Sequence, residues 1–293
     1  MTGTGRNGAR RVAVLGNCVA NRLSFLLTLH PDFAPAYELV PLPMIHTLRG
    51  NAGELDAAAR TALRCDVVFS QPLFDFGPCN TDALRTVCAR GREFFVFPTP
   101  NFEAYFPDVV FPGLPDKLHF APPFDWHSSI VLACRLQGID ISEVEKLYLN
   151  HPLFREKTVR PGVERALENC AKRDRGVDLP LYPFIEEHYA ETRLFYSWLH
   201  PCEELLNHML NGMFRCMGLP VPATPLAGKE HGFGFNRWPL PIRAHSVFRF
   251  AEQTYVLIAG KRCSIEDTAM SYYMFYDFHP DVPERYRHNA GLG

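Results

Sequence analysis

A cysteine lies at the point where a buried strand is predicted to turn into a helix, in the stretch GNC at residues 16–18. A thiol in the first turn of a helix is close to unpaired backbone N–H groups and to the positive end of the helix dipole, and both favour the thiolate. Gly16 permits a tight turn, and Asn17 can cap the helix or donate its amide to a developing oxyanion. Cys18 is therefore a candidate nucleophile.

The alternative interpretation is that Cys18 only packs. The chain has nine cysteines, and no two of them have the C-x-x-C spacing of a structural zinc site. Isolated cysteines in a reducing compartment mostly serve as small buried hydrophobic residues. We expect this role for the other cysteines, and we expect no metal.

A cysteine nucleophile needs a base, and three histidines are candidates. His127, His151 and His200 each lie at a boundary marked by proline rather than within a polar helix face. Asp125 precedes His127 by two residues and is a candidate to orient its ring. Distance along the chain does not decide among the three histidines.

Strands and helices that alternate along the first hundred residues must position these groups. Apolar or β-branched runs at residues 12–15, 37–40, 66–69 and 93–97 predict buried strands, and the stretches 19–29, 54–63 and 81–90 predict helices between them. This alternation indicates an α/β fold with an open parallel sheet flanked by helices, a three-layer sandwich. We expect a flexible N-terminus over 1–10, an α/β core over 11–126 and a mainly helical portion over 127–293, packed together as one continuous domain.

Composition and charge exclude several classes of function. The formal net charge is -2 and no run of five like charges occurs, so the basic footprint of a nucleic-acid-binding protein is missing. No apolar run approaches the ~18 residues of a membrane span, and the N-terminus lacks the apolar stretch of a signal peptide. We therefore expect a cytoplasmic enzyme or binding protein.

Four short motifs occur in a fixed order over residues 10–215. They are VLGNCVANRL, DVVFSQP, FPTPNFEAYFPD and LYLNHPLF. With these motifs the chain resembles the WcbI-type family of capsular-polysaccharide biosynthesis proteins. That resemblance implies an acetyl-CoA-dependent O-acetyltransferase with an α/β core similar to the SGNH hydrolases, in which GNC stands where the hydrolases carry GDS.

The resemblance also implies roles for particular residues. Cys18 is then the nucleophile, and Ser70, Gln71 and Asn101 line the same crevice at the ends of the third and fourth strands. The DWH stretch at 125–127 is similar to a shortened hydrolase D-x-x-H motif, although it lies in the middle of the chain. The NHP stretch at 150–152 is similar to the family's own NHP element.

A coenzyme A thioester as co-substrate requires cations for its phosphates. Arg22, Lys229 and Arg237 are the candidates for this role. The hypothesis that follows is attack of the Cys18 thiolate on the thioester, proton removal from a saccharide hydroxyl by one of the histidines, and oxyanion stabilisation by Asn17, Gln71 or backbone N–H groups.

Two other functions remain open from the sequence. With water as the acceptor, the same site is an esterase or a thioesterase. With Cys18 as a packing residue, the chain is a non-catalytic module that binds a carbohydrate or a nucleotide. The sequence does not identify the acceptor, the acyl group or the oligomeric state.

Overall fold

The computed structural model describes residues 8–88, 91–113, 121–228, 232–241 and 246–289. The strands of this part of the chain are β1 (Arg10–Leu15), β2 (Tyr37–Leu39), β3 (Val67–Ser70), β4 (Glu93–Val96), β5 (Val109–Val110), β6 (His127–Ser128), β7 (Phe195–Ser197), β8 (His200–Pro201), β9 (Val256–Ile258) and β10 (Lys261–Cys263). Its helices are α1 (Cys18–Leu27), α2 (Phe33–Ala36), α3 (Ala52–Ala62), α4 (Thr81–Cys88), α5 (Ser129–Leu136), α6 (Ile141–Leu149), α7 (Glu156–Arg173), α8 (Tyr182–His188), α9 (Glu203–Met217), α10 (Ile265–Phe278) and α11 (Asp281–Asn289).

The chain folds into two compact units. The first unit takes the described residues of Met1–Asn101, Leu167–His188 and Leu199–Gly232, and the second takes those of Phe102–Ala166, Tyr189–Trp198 and Phe233–Gly293. Each unit joins segments that are distant in the sequence. The expected boundary between residues 126 and 127 stays a prediction.

A four-stranded parallel sheet forms the centre of the first unit. Its strand order is β2-β1-β3-β4, and Val12 of β1 is in register with Leu39 of β2 and Val67 of β3. The two central strands are buried along nearly their whole length, which explains why they are continuous apolar runs rather than alternating ones. The predicted α/β fold with a parallel sheet is confirmed.

Helices flank this sheet because its two faces are both apolar. Ala13 and Val68 pack with Leu55 and Ala58 of α3 in one hydrophobic cluster. Side chains alternate along a strand, so the neighbours of Ala13 and Val68 point to the opposite face. Helix α1 packs on β1 and also contacts α9. Leu23 of α1 is fully buried. Burial of such a side chain contributes about 1.5–3 kcal/mol to the free energy of folding.

Helices predominate in the C-terminal half, as predicted. Seven of the helices given above follow residue 127, whereas the strands there are two or three residues long. Helix α7 is the longest of those described and spans both units, since Ala166 belongs to the second and Leu167 to the first. No helix among the described residues is long and apolar enough to cross a membrane.

The turn from β1 into α1 depends on a missing side chain. Gly16 has a φ of 156°, and a Cβ placed there would lie 2.2 Å from Oε1 of Gln71 and 2.8 Å from Cβ of Ala20. Oε1 of Gln71 is not free to move aside, because it accepts a hydrogen bond from the backbone N–H of Asn17. Ala20 is part of helix α1 and is equally fixed.

We therefore expect Gly16→Ala to lower the free energy of unfolding by about 1–3 kcal/mol, the usual cost of overpacking. The matched control is Gly162→Ala in α7, where an added Cβ meets no atom within 4 Å. Alanine is favoured over glycine inside a helix by about 0.8–1 kcal/mol, so the control is expected to be stabilised. Urea unfolding followed by circular dichroism measures both. Wild-type stability of Gly16→Ala would contradict this account of the turn.

Candidate functional site

Cys18 is the first residue of α1 and lies just beyond the carboxyl end of β1. Asn17 caps the helix, since its side-chain Oδ1 accepts a hydrogen bond of 2.9 Å from the N–H of Val19. The thiol is half-buried rather than enclosed. Carboxyl ends of parallel strands are where open α/β sheets bind their ligands. The predicted position of Cys18 in a strand-to-helix turn is therefore the observed one.

His200 is the histidine that the first unit places beside this thiol. Its Nε2 lies 3.7 Å from Sγ of Cys18, within hydrogen-bonding distance for sulfur. His200 begins the short strand β8, and α9 follows at Glu203. The two residues are 182 positions apart in the sequence. A cysteine and a histidine at this distance have the geometry of a nucleophile and its base.

Burial sets the protonation state of this pair. It raises the pKa of the Cys18 thiol, and the opposing effects of the N–H groups of Val19 and Cys18 and of the Arg22 charge are smaller. It lowers the pKa of His200 to about 4. Both groups are therefore neutral at pH 7. The N–H groups at the helix end favour the thiolate, as expected, but desolvation of the thiol has the larger effect.

Gln71 connects the end of β3 to the cysteine turn. Its backbone N–H donates to the carbonyl oxygen of Leu15, and its Oε1 accepts the N–H of Asn17 at 2.8 Å. Its Nε2 is buried and has no hydrogen-bond partner among the described residues. Ser70 is fully buried and donates its hydroxyl to the carbonyl oxygen of Gln71. The Gln71 amide thus has donors left for a ligand, whereas the Ser70 hydroxyl is used to hold the strand end.

Asn101 contacts the end of α7. Its carbonyl oxygen accepts hydrogen bonds from the guanidinium of Arg173 at 2.7 Å and from the thiol of Cys170 at 3.4 Å. Its Oδ1 is buried with no hydrogen-bond partner in the part of the chain that is described. A contact of Asn101 with the cysteine turn, as the resemblance implied, is not among these interactions.

The second unit contains His127 and Asp125. His127 is fully buried, and its Nδ1 lies 2.8 Å from the hydroxyl of Tyr276. Its Nε2 has no hydrogen-bond partner among the described residues, and Asp125 is exposed, so the predicted Asp125–His127 pair is not formed. Burial lowers the pKa of His127 to about 4 and keeps the ring neutral.

His151 and Arg237, also in the second unit, make local contacts. Nδ1 of His151 accepts the N–H of Leu153 at 3.3 Å and caps a short 3₁₀ helix, and partial burial lowers its pKa. The Arg237 guanidinium donates to the carbonyl oxygen of Gly234 and lies 4.2 Å from the centre of the Tyr196 ring. The roles predicted for His151 and Arg237 remain predictions.

Arg22 and Lys229 are the other two residues predicted to bind coenzyme A. Arg22 lies on α1 one turn after Cys18, close enough for its charge to lower the thiol pKa slightly. Lys229 lies outside the described residues. No group of three or more histidine, cysteine or acidic side chains in the described ranges has the arrangement of a metal site.

A cleft of about 410 Å³ in the first unit was not predicted. It is lined by residues at the carboxyl ends of β3 and β4 and at the end of α7, namely Pro72, Phe74, Pro98, Thr99, Lys172, Arg173 and Arg175. The basic stretch KRDR at 172–175 is typical of a solvated helix end, which is why sequence patterns did not single it out. The only sequence signal was the proline-marked end of each strand.

The comparisons with known proteins decide the family. The profile of the family described as polysaccharide biosynthesis enzyme WcbI matches residues 11–222. The chain belongs to this family. The matched range includes Cys18, Gln71 and His200 as well as the cleft, whereas Arg237 lies beyond it.

A solved WcbI structure has the same fold. It is described as WcbI, a novel polysaccharide biosynthesis enzyme, as native protein without a disulfide bond between coenzyme A and a cysteine of that protein. The structures agree with a TM-score of 0.76 at 17% sequence identity, over 97% of this chain and 95% of that chain. No curated protein matches the chain. The likeness of the WcbI core to SGNH hydrolases stays a prediction.

The neutral pair predicts how Cys18 reacts with iodoacetamide, which attacks the thiolate. Because burial raises the thiol pKa and His200 carries no charge above about pH 4, we expect the alkylation rate to rise with pH and to reach half its maximum above the pKa of about 8.5 of a free thiol. Peptide mass spectrometry resolves Cys18 from the other cysteines. His200→Gln is expected to leave this midpoint nearly unchanged. A rate plateau between pH 5 and about 7, which indicates a thiolate–imidazolium pair, would contradict the assignment.

Proposed function

We propose that the protein transfers an acyl group from a coenzyme A thioester to a hydroxyl of a saccharide, through an acyl-enzyme on Cys18. The observation that carries this proposal is the 3.7 Å distance between Sγ of Cys18 and Nε2 of His200 at the end of a parallel strand. A thiol that only packs has no need of a neutral histidine at this distance. A nucleophile does need one.

Three features support coenzyme A as the donor. The similar WcbI structure is described as being without a disulfide bond between coenzyme A and one of its cysteines, and we propose Cys18 as the thiol that meets the coenzyme here. Cys18 is partly exposed rather than fully buried, so a thioester can reach its thiol. Exchange of one thioester for another is nearly isoenergetic, so a cysteine is well suited to take the acyl group.

The first half-reaction begins with both groups neutral. As Sγ of Cys18 bonds to the thioester carbonyl carbon, its proton passes to Nε2 of His200. The carbon–sulfur bond of the donor then breaks, and the departing thiolate takes the proton back from the imidazolium. The low pKa of His200 favours this return, because the buried ring gives up its proton readily.

In the second half-reaction, the acceptor hydroxyl takes the place of the thiol. Its proton passes to Nε2 of His200 as its oxygen bonds to the acyl carbon. The Sγ–carbon bond then breaks, and Cys18 recovers the proton. The products are the acylated saccharide and the original neutral pair, so the atoms and electrons of the transfer balance.

Gln71 is the group that we assign to the oxyanion. Attack on a thioester places negative charge on the carbonyl oxygen, and a fixed N–H donor stabilises that charge. Gln71 is 2% exposed, its Oε1 is held by Asn17, and its Nε2 has no partner among the described residues. A buried amide that lacks a partner is costly until a ligand supplies one.

Membership of the family supports a saccharide acceptor, and the state of the cysteines supports a reducing compartment. The family is described as a polysaccharide biosynthesis enzyme, which favours a saccharide hydroxyl as the acceptor. None of the nine cysteines forms a disulfide bond, which is typical of a reducing compartment such as the cytoplasm. An esterase or thioesterase differs only in using water, and a binding module differs in forming no acyl-enzyme.

Intact-protein mass spectrometry after mixing with acetyl-CoA tests the proposal. We expect the wild type to gain about 42 Da, one acetyl group on the nucleophile, and Cys18→Ser to gain none. Cys216→Ser removes another half-buried thiol of the first unit, on α9, and is expected to behave as wild type. His200→Gln is expected to acylate at least about 100-fold more slowly, the usual contribution of a general base.

Two outcomes would contradict acyl transfer through Cys18. The first is the absence of any mass gain in the wild type, which favours the binding module. The second is a gain that persists in Cys18→Ser, which places the acyl group elsewhere. Rapid loss of the acetyl group to water, unchanged by saccharides, would favour the thioesterase.

A further inference from the structure

The cleft between the ends of β3 and β4 and the end of α7 has the size and position of a ligand site. Its volume of about 410 Å³ lies within the range of about 300–1,000 Å³ of small-molecule pockets. All of its lining residues belong to the first unit, which also holds Cys18 and His200. It opens at the same edge of the sheet as the cysteine turn, since Pro72 directly follows Gln71.

The charge of the cleft is of one sign. Three of its lining residues, Lys172, Arg173 and Arg175, are cationic, and none of its lining residues is acidic. Lys172 pairs with the carboxylate of Glu168, one turn earlier on α7, at 3.3 Å. Both members of that pair are exposed, so it contributes less than about 1 kcal/mol and is readily exchanged for an anionic ligand.

Arg173 is held in place for such a ligand. Its guanidinium donates to the carbonyl oxygen of Asn101 at 2.7 Å and contacts Sγ of Cys170 at 3.3 Å. A guanidinium carries its N–H donors in a rigid planar fork, so these contacts fix the orientation of the whole group at the wall of the cleft. A helix C-terminus attracts cations, which accounts for a basic last turn but not for a cleft behind it.

The other wall of the cleft is apolar and partly aromatic. Pro72 and Pro98 line it, and Phe74 is 69% exposed. An exposed aromatic ring beside cations is a combination that suits a nucleotide, because the base stacks on the ring while the phosphates pair with the cations. A phosphate alone needs only the cations.

We propose that this cleft binds the phosphate groups of a nucleotide, with the base against Phe74. The inference rests on the proposed function, in which two substrates can carry such a group. One source is the nucleotide half of coenzyme A, and the other is the nucleoside diphosphate of an activated sugar. Both present the same chemistry, at least two negative charges next to a planar base.

Titration calorimetry with two probes separates these sources. The probes are 3′,5′-ADP, which represents the donor, and UDP, which represents an activated sugar. We expect one of them to bind the wild type, and we expect Lys172→Gln/Arg175→Gln to weaken it at least tenfold. Both side chains are exposed, so the double variant is expected to fold, as its melting temperature checks.

The control variant also removes two positive charges, and it removes them from α7. Lys157→Gln/Arg165→Gln changes two exposed cations of α7 that do not line the cleft, and it is expected to bind as the wild type does. Binding of 3′,5′-ADP assigns the cleft to the donor, and binding of UDP assigns it to the acceptor. Binding of neither probe, or equal binding by the wild type and the cleft variant, would overturn the proposal.

A short thioester without phosphates separates this proposal from the proposed function. S-acetyl-N-acetylcysteamine is expected to acylate Cys18 equally in the wild type and in Lys172→Gln/Arg175→Gln. If it acylates neither while a nucleotide still binds in the cleft, acyl transfer fails and the nucleotide site stands. If it acylates both and no nucleotide binds, the cleft proposal fails alone.

Discussion

The hydrogen bond from the N–H of Asn17 to Oε1 of Gln71 is the interaction on which the site depends. It joins the ends of the two central strands at 2.8 Å, at the residue that precedes Cys18. Gly16 makes it possible, because any Cβ at that position would occupy the place of the Gln71 oxygen. The same bond orients the Gln71 amide so that its nitrogen remains available, and it leaves the Asn17 side chain to cap α1.

Burial is the second constraint, and its effect is opposite to that of the helix end. A cysteine at a helix N-terminus is usually a stabilised thiolate, but here desolvation raises the thiol pKa and lowers that of the histidine beside it. The thiol and the imidazole are therefore both uncharged in the resting protein. In the proposed transfer, charge develops only when the thiol attacks, and at that point the imidazole and the Gln71 amide are already in position. A neutral resting thiol also reacts slowly with oxidants and stray electrophiles.

The sequence predicts those features of the site that depend on residues close together in the chain. The strand, the glycine turn, the cap and the first helical residue lie within nine positions of one another, and their residue types specify them. The order of strands and helices was predictable for the same reason. Gln71 was a candidate through the family resemblance, and it lies beside the cysteine turn because parallel strands end at the same edge of a sheet.

Contacts between distant segments were not predictable. His127, His151 and His200 have equivalent sequence contexts, and only the fold shows that His200 lies in the unit that contains Cys18. The predicted Asp125–His127 pair does not form, because the His127 ring is hydrogen-bonded to the Tyr276 hydroxyl while Asp125 is exposed. The cleft likewise combines three segments of the chain, and its cations, which all lie within residues 172–175, look like ordinary surface residues in the sequence.

In the proposed transfer Cys18 and His200 act as one catalytic unit, and a double-mutant cycle tests this most directly. The rate of coenzyme A release from acetyl-CoA is measured chromatographically for Cys18→Ala, His200→Gln and the double variant. If the two side chains act together, each single variant loses about as much rate as the double variant does. Losses that multiply in the double variant, or a wild-type rate for His200→Gln, would contradict the claim.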